Sequence, residues 1–106
     1  PWEIAKSFDH SFPVGPITPV EKTGKISEGR IELTVNGKVT QESDISLLIW
    51  RIPEIISRLS EYFELMPGDI ILTGTPHGVG PVKPGDTLVA RFDGLEPLEV
   101  TIGNAS

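Results

Sequence analysis

The sequence predicts an α+β fold that is mostly β, with one main amphipathic helix, and three observations carry that prediction. First, its 106 residues include 10 Pro and 11 Gly, and proline at about twice its usual share favours many turns over long helices. Second, Asn36-Gly37 stands between two alternating runs, the strongest short-range signal for a hairpin. Third, Pro67-Gly68-Asp69 and Pro84-Gly85-Asp86 each turn the chain into an apolar run.

In chain order, Pro13, Gly15, Pro16 and Pro19 forbid a helix between Phe12 and Val20, because proline lacks the amide donor. Ile31, Leu33 and Val35 then alternate with Glu32 and Thr34, and the alternation resumes from Lys38 to Gln41, so residues 31–41 form a hairpin. Ser43 or Asp44 is placed to cap a short helical stretch through Ile49. Pro53 fits the first turn of a second helix, where its missing amide costs nothing. In that helix Ile52, Ile55, Ile56, Leu59 and Phe63 recur at spacings of three and four, leaving Glu54, Arg58 and Glu61 outside. This helix is expected to pack on the sheet. Ile70-Ile71-Leu72-Thr73 reads as a short buried strand, and 87–92 and 98–102 as two more, with Asp93-Gly94 turning between them. The segment from Gly74 to Gly80 is a glycine-rich loop where backbone can approach a ligand closely.

Composition bounds the function. The net charge is −6, with 9 Lys and Arg against 15 Asp and Glu and no basic run, which argues against nucleic acid or an anionic membrane as partner. The absence of cysteine excludes a disulfide framework, a thiolate zinc site and a cysteine nucleophile, and a cytosolic location is expected. A chain of this size should bury about two-thirds of its extended surface, enough for one modest core. The sequence opens Pro-Trp-Glu without an initiator Met or a signal-like segment, and the expectation is that the protein begins further upstream.

The residues alone assemble no complete active site. The glycine loop lacks the lysine and Ser/Thr of a P-loop and the GxGxxG spacing of a dinucleotide site. Its bland reading is a tight connection. Lys6 is either a solvated side chain or a cation that holds a carboxylate and stabilises enolate charge. His10 and His77 are too far apart in sequence to announce a metal site. Glu61 with Glu64, Glu42 with Asp44, and Glu96 with Glu99 read as solvated faces.

Three stretches in register change that weighing. They are Pro1-Trp2-Glu3-Ile4-Ala5-Lys6-Ser7-Phe8-Asp9 with Pro13-Val14-Gly15-Pro16, then Val35-Asn36-Gly37 with Gln41, then the run from Pro67 through Thr73-Gly74-Thr75-Pro76 to Gly78-Val79-Gly80. Together they resemble the C-terminal half of the fumarylacetoacetate hydrolase family. The likeness is to its acylpyruvate hydrolase and homoprotocatechuate-pathway isomerase/decarboxylase branch, which serves aromatic-compound catabolism.

The resemblance implies a mixed β-sandwich roll over residues 1–106, a homodimer, and a small-molecule 2-oxo acid substrate. It implies a divalent cation, Mg2+ or Mn2+, held by a Glu-x-Glu pair and a later Asp that lie upstream of the lysine segment, so that no metal ligand falls in this chain. It assigns Lys6 as catalytic and substrate-binding at the oxo-acid end, and Gly74 and Thr75 as holding the substrate carboxylate. The implied reaction is hydrolysis of a carbon–carbon bond in an acylpyruvate such as fumarylpyruvate, or decarboxylation or isomerisation of a related 2-oxo dicarboxylic acid. The alternative is a non-catalytic relative or a proteolytic core fragment. This chain alone is expected to be inactive and to bind no divalent metal specifically. Lys6 and Thr75 are expected to open onto one cleft with side-chain tips within roughly 10 Å, the span of such a substrate.

Overall fold

The computed structural model describes residues 12–104. A short helix, α1 (Val20–Thr23), follows the proline-rich segment. Strands β1 (Arg30–Val35) and β2 (Lys38–Asp44) form the expected hairpin, and Asn36 and Gly37 take φ of 52° and 82° at its turn. These left-handed values are what a two-residue type I′ connection needs, because its twist matches that of the flanking strands. A 3₁₀ turn, Ile45–Leu47, is capped by Asp44, whose carboxylate accepts from the Ser46 amide at 2.9 Å. Helix α2 (Ile52–Ser60) begins with Pro53 in its first turn, and the Arg51 amide donates to Glu54 at 3.0 Å. The Arg58 guanidinium lies 4.8 Å from the Trp50 ring centre, tying the approach segment to the helix.

Strands β3 (Thr87–Phe92) and β4 (Leu98–Thr101) complete one antiparallel sheet in the order β2-β1-β3-β4. Strand β1 is central, paired from Ile31↔Phe92 to Val35↔Leu88 on one side and with β2 on the other. The β1–β2 register shifts between Leu33 and Thr34. Leu33 pairs with Gln41 but Thr34 with Val39, leaving Thr40 as an extra, unpaired residue, a β-bulge.

Asn36 joins the hairpin to the second Pro-Gly-Asp turn. Its side-chain amide donates to Asp86 at 2.9 Å, and its carbonyl oxygen accepts from the Thr87 amide at 2.9 Å. Asp86, with Thr34 one of two buried residues among those described, also accepts from the Lys83 amide at 3.0 Å. These bonds favour the charged form, so the Asp86 carboxyl titrates below its ordinary value, the Lys83 amide contributing most and Asn36 next.

Three expectations are corrected. No modest core is present: among the described residues no apolar side chain is buried. The sheet is one layer, and an apolar face becomes a core only when a second layer covers it. Helix α2 does not supply that layer, since none of its residues is buried, and Ile56 and Phe63 are exposed. Nor is 70–73 a buried strand; it has no ladder partner among the described residues, and Ile70 and Leu72 are 63% and 72% exposed. Apolar runs specify a wish for burial, whereas a strand also needs an edge to pair with.

Candidate functional site

The glycine-rich loop, residues 74–80, lies against β2. The Gln41 side-chain amide donates to the Pro76 carbonyl at 2.9 Å, 35 residues away in sequence. Two residues on, Gly78 passes so close to the bulge that a Cβ there would stand 2.1 Å from the Thr40 carbonyl oxygen. Its φ of 99° is a second reason for glycine at this position. The loop is thus bonded at Pro76 by Gln41 and passes closely against Thr40 at Gly78.

This anchoring brings Thr73, Gly74, Thr75 and Pro76 to the wall of a cavity of about 340 Å³. It is also lined by Ile31 and Ser43 on the sheet and by Asp44, Ile45, Leu47, Leu48 and Ile49 around the 3₁₀ turn. The volume falls within the range of small-molecule sites. Among the described residues, no backbone carbonyl engages the amides of Gly74 or Thr75, and Thr75 adds a hydroxyl at the same place. Such a group of donors in a glycine loop can hold a carboxylate or another anion.

The remaining wall is mostly apolar, and among the described residues its one ionisable group is Asp44. Its Oδ1 accepts from the amides of Ser46 and Gly29. The two bonds, Ser46 first, hold it below the ordinary carboxylate range. It caps the 3₁₀ turn.

Of the residues singled out in the sequence, Gly74 and Thr75 line this cavity, while Lys6 and His10 lie outside the described residues. The expected juxtaposition of Lys6 and Thr75 lies outside them too. His77 is exposed and does not line the cavity beside Thr75. Glu42 pairs with Arg30, which also meets Glu32 at 2.7 Å, a solvated cluster. Among the described residues no three His, Asp or Glu side chains gather as a metal site, and no helix is long and apolar enough to cross a membrane. A larger hollow of about 640 Å³, between the α1 region and Phe92 to Glu96, contains none of the predicted site residues. Sequence reasoning missed the part played by Gln41, because the bulge that sets its direction has no pattern of its own in the strand.

Known proteins are similar to this chain in sequence and fold. Residues 1–103 match the profile described as "Fumarylacetoacetate (FAA) hydrolase C-terminal". The chain is 50% identical over 100 residues to the mitochondrial oxaloacetate tautomerase oaa1 of Schizosaccharomyces pombe, covering 94% of the chain and 45% of that protein. It is 40% identical over 105 residues to fumarylpyruvate hydrolase of Ralstonia sp., covering 99% of the chain and 54% of that protein. Among solved structures, fumarylpyruvate hydrolase from Pseudomonas aeruginosa in complex with Mn2+ and pyruvate superposes with a TM-score of 0.93 at 47% identity, covering 97% of this chain and 44% of that one. The chain spans about half the length of the curated relatives it matches.

Proposed function

Because the chain belongs to the fumarylacetoacetate hydrolase family, we propose that it is the carboxylate-anchoring portion of an enzyme acting on a 2-oxo acid. The reaction is hydrolysis of an acylpyruvate such as fumarylpyruvate, or isomerisation or decarboxylation of a related 2-oxo dicarboxylic acid such as oxaloacetate. The observation that carries this reading is the cavity wall at Thr73 to Pro76, on a loop bonded to β2 through Gln41, where the amides of Gly74 and Thr75 have no backbone partner among the described residues. That loop belongs to a fold that, in the Pseudomonas aeruginosa enzyme, was crystallised with Mn2+ and pyruvate.

The three reactions share one electronic requirement. In hydrolysis, water adds to the acyl carbonyl, the bond from that carbon to C3 breaks, and its electron pair goes to C3. In decarboxylation the pair comes from the departing carboxylate. In isomerisation it comes from a C3–H bond whose proton is removed and returned at oxygen. Each leaves the pair beside the 2-oxo group as an enolate, so each gains from positive charge at that oxygen. Thr75 and the Gly74-Thr75 amides hold the C1 carboxylate and fix the 2-oxo group in place, and Lys6 supplies a cation where the enolate oxygen develops charge.

A divalent cation, Mg2+ or Mn2+, would add Lewis acidity at the same oxygens. The described residues do not gather three His, Asp or Glu side chains as its site, and the proposal puts its ligands outside this chain. Assembly as a homodimer belongs to the same proposal. The test is turnover by a full-length protein carrying this chain, assayed with fumarylpyruvate and oxaloacetate, with and without Mg2+ and Mn2+. Activity on either acid, dependent on metal and reduced at least about tenfold in Lys6→Ala, supports the reading. Wild-type turnover in Lys6→Ala removes that residue from the mechanism, and no turnover of either acid refutes the proposal.

A further inference from the structure

The β-bulge at Thr40 determines which way Gln41 faces. In an unbroken strand Gln41 would share a face with Val39, because side chains two apart point the same way. The extra residue breaks that alternation: Val39 pairs with Thr34 while Gln41 pairs with Leu33, its neighbour in β1, so Val39 and Gln41 fall on opposite faces. Gln41 thereby joins the face of the Ile31↔Ser43 pair, both of which line the cavity beside Thr75. From there its amide reaches the Pro76 carbonyl at 2.9 Å. The same bulge leaves the Thr40 carbonyl against Gly78. One irregularity in β2 therefore sets both the hydrogen bond to Pro76 and the close approach at Gly78.

We propose that Gln41 is a positioning residue for substrate binding: its side-chain amide, by holding the Pro76 carbonyl, keeps Thr75 and the Gly74-Thr75 amides in the geometry that receives the substrate carboxylate. The proposal rests on the 2-oxo acid reading given above. Gln41 touches the loop and not the reacting bond. Its loss therefore weakens ground-state and transition-state binding alike, which raises KM and leaves kcat nearly unchanged.

The test compares Gln41→Leu with Gln41→Glu in the full-length protein. Glutamate has the shape of glutamine but, when ionised, has no proton to donate to Pro76. If Gln41 only fills space, Gln41→Glu keeps wild-type behaviour; if it acts as a donor, Gln41→Glu fails as Gln41→Leu does. The expected result is a KM for the 2-oxo acid raised about fivefold or more in both variants, as one net hydrogen bond implies, with kcat within about twofold. Amide hydrogen exchange of residues 74–80, measured without substrate, should quicken in both variants. Wild-type KM and wild-type exchange in Gln41→Glu would overturn the proposal. So would a fall in kcat at unchanged KM, which would place Gln41 in the chemical step. If the wild-type protein turns over no 2-oxo acid, the functional reading fails, and with it the role in substrate binding. Exchange then separates the two failures, because faster exchange in the variants shows the loop attachment intact in the wild type, and unchanged exchange shows that it was never there.

Discussion

Gly78→Ala should displace the substrate loop, and the size of the effect follows from the geometry. A Cβ at this position would lie 2.1 Å from the Thr40 carbonyl oxygen and 3.0 Å from Cγ of Gln41. Close-packed atoms tolerate no such approach, so one partner must retreat by about 1 Å. Thr40 belongs to β2, which is laddered to the central strand β1, whereas 74–80 has no ladder partner among the described residues. The loop therefore yields. Alanine at a φ of 99° adds backbone strain of about 1–3 kcal/mol. Thr75 is three residues away and Pro76 two, so the shift reaches the proposed carboxylate site directly. A misplacement of about 1 Å can cost about 100-fold in rate, equal to about 2.7 kcal/mol of transition-state stabilisation.

The measurement is kcat/KM on the better of the two proposed substrates, alongside urea unfolding, with Gly80→Ala as the comparison. Gly80 has no atom nearer than 4.0 Å to its virtual Cβ, so that variant should stay within about 0.5 kcal/mol of wild type. Gly78→Ala should lose about 100-fold in kcat/KM and about 1–3 kcal/mol in stability. If Gly78→Ala matched Gly80→Ala in both measurements, the close approach of the loop to the bulge would be wrong, and with it the argument that β2 sets the position of Thr75.

Other expectations follow from the same contacts. Thr75→Val removes the hydroxyl at nearly constant volume and should lower kcat/KM at least about tenfold while leaving metal affinity unchanged, which steady-state kinetics and a metal titration check together. Asn36→Ala removes a bond to the charged Asp86 and one to the Thr87 amide and places alanine at positive φ, so urea unfolding should show a loss of about 2–4 kcal/mol. Asp86 titrates below its ordinary value in the folded chain, so its charged form stabilises the fold at neutral pH. That contribution is complete above the unfolded value near 4 and is lost as pH falls through the lower folded value. Stability measured against pH should accordingly fall on the acid side, and Asp86→Asn should be less stable at pH 7 with a shallower acid limb; an unchanged limb would show that another carboxylate is responsible.

The sequence by itself determined the local structure wherever the controlling interaction is short-ranged. Asn36-Gly37 fixed the hairpin because few residues accept positive φ, Asp44 supplied the cap through its own side chain, and Pro53 marked the first turn of α2. The same residue-level signals carried the family, since Lys6, Asn36-Gly37 and Thr73 to Pro76 occur in a specific order and spacing. Apolar content did not determine burial. Ile70, Leu72 and Phe63 read as core from periodicity alone, yet burial depends on what lies opposite, and nothing among the described residues covers them. Nor did alternation reveal the bulge at Thr40, because an extra residue in one strand is defined only by the register of its partner. That register is a property of the paired sheet. It reverses the face of Gln41, brings Thr40 against Gly78 and thereby holds Thr75 at the cavity, so the tertiary structure alone decided how the loop is placed.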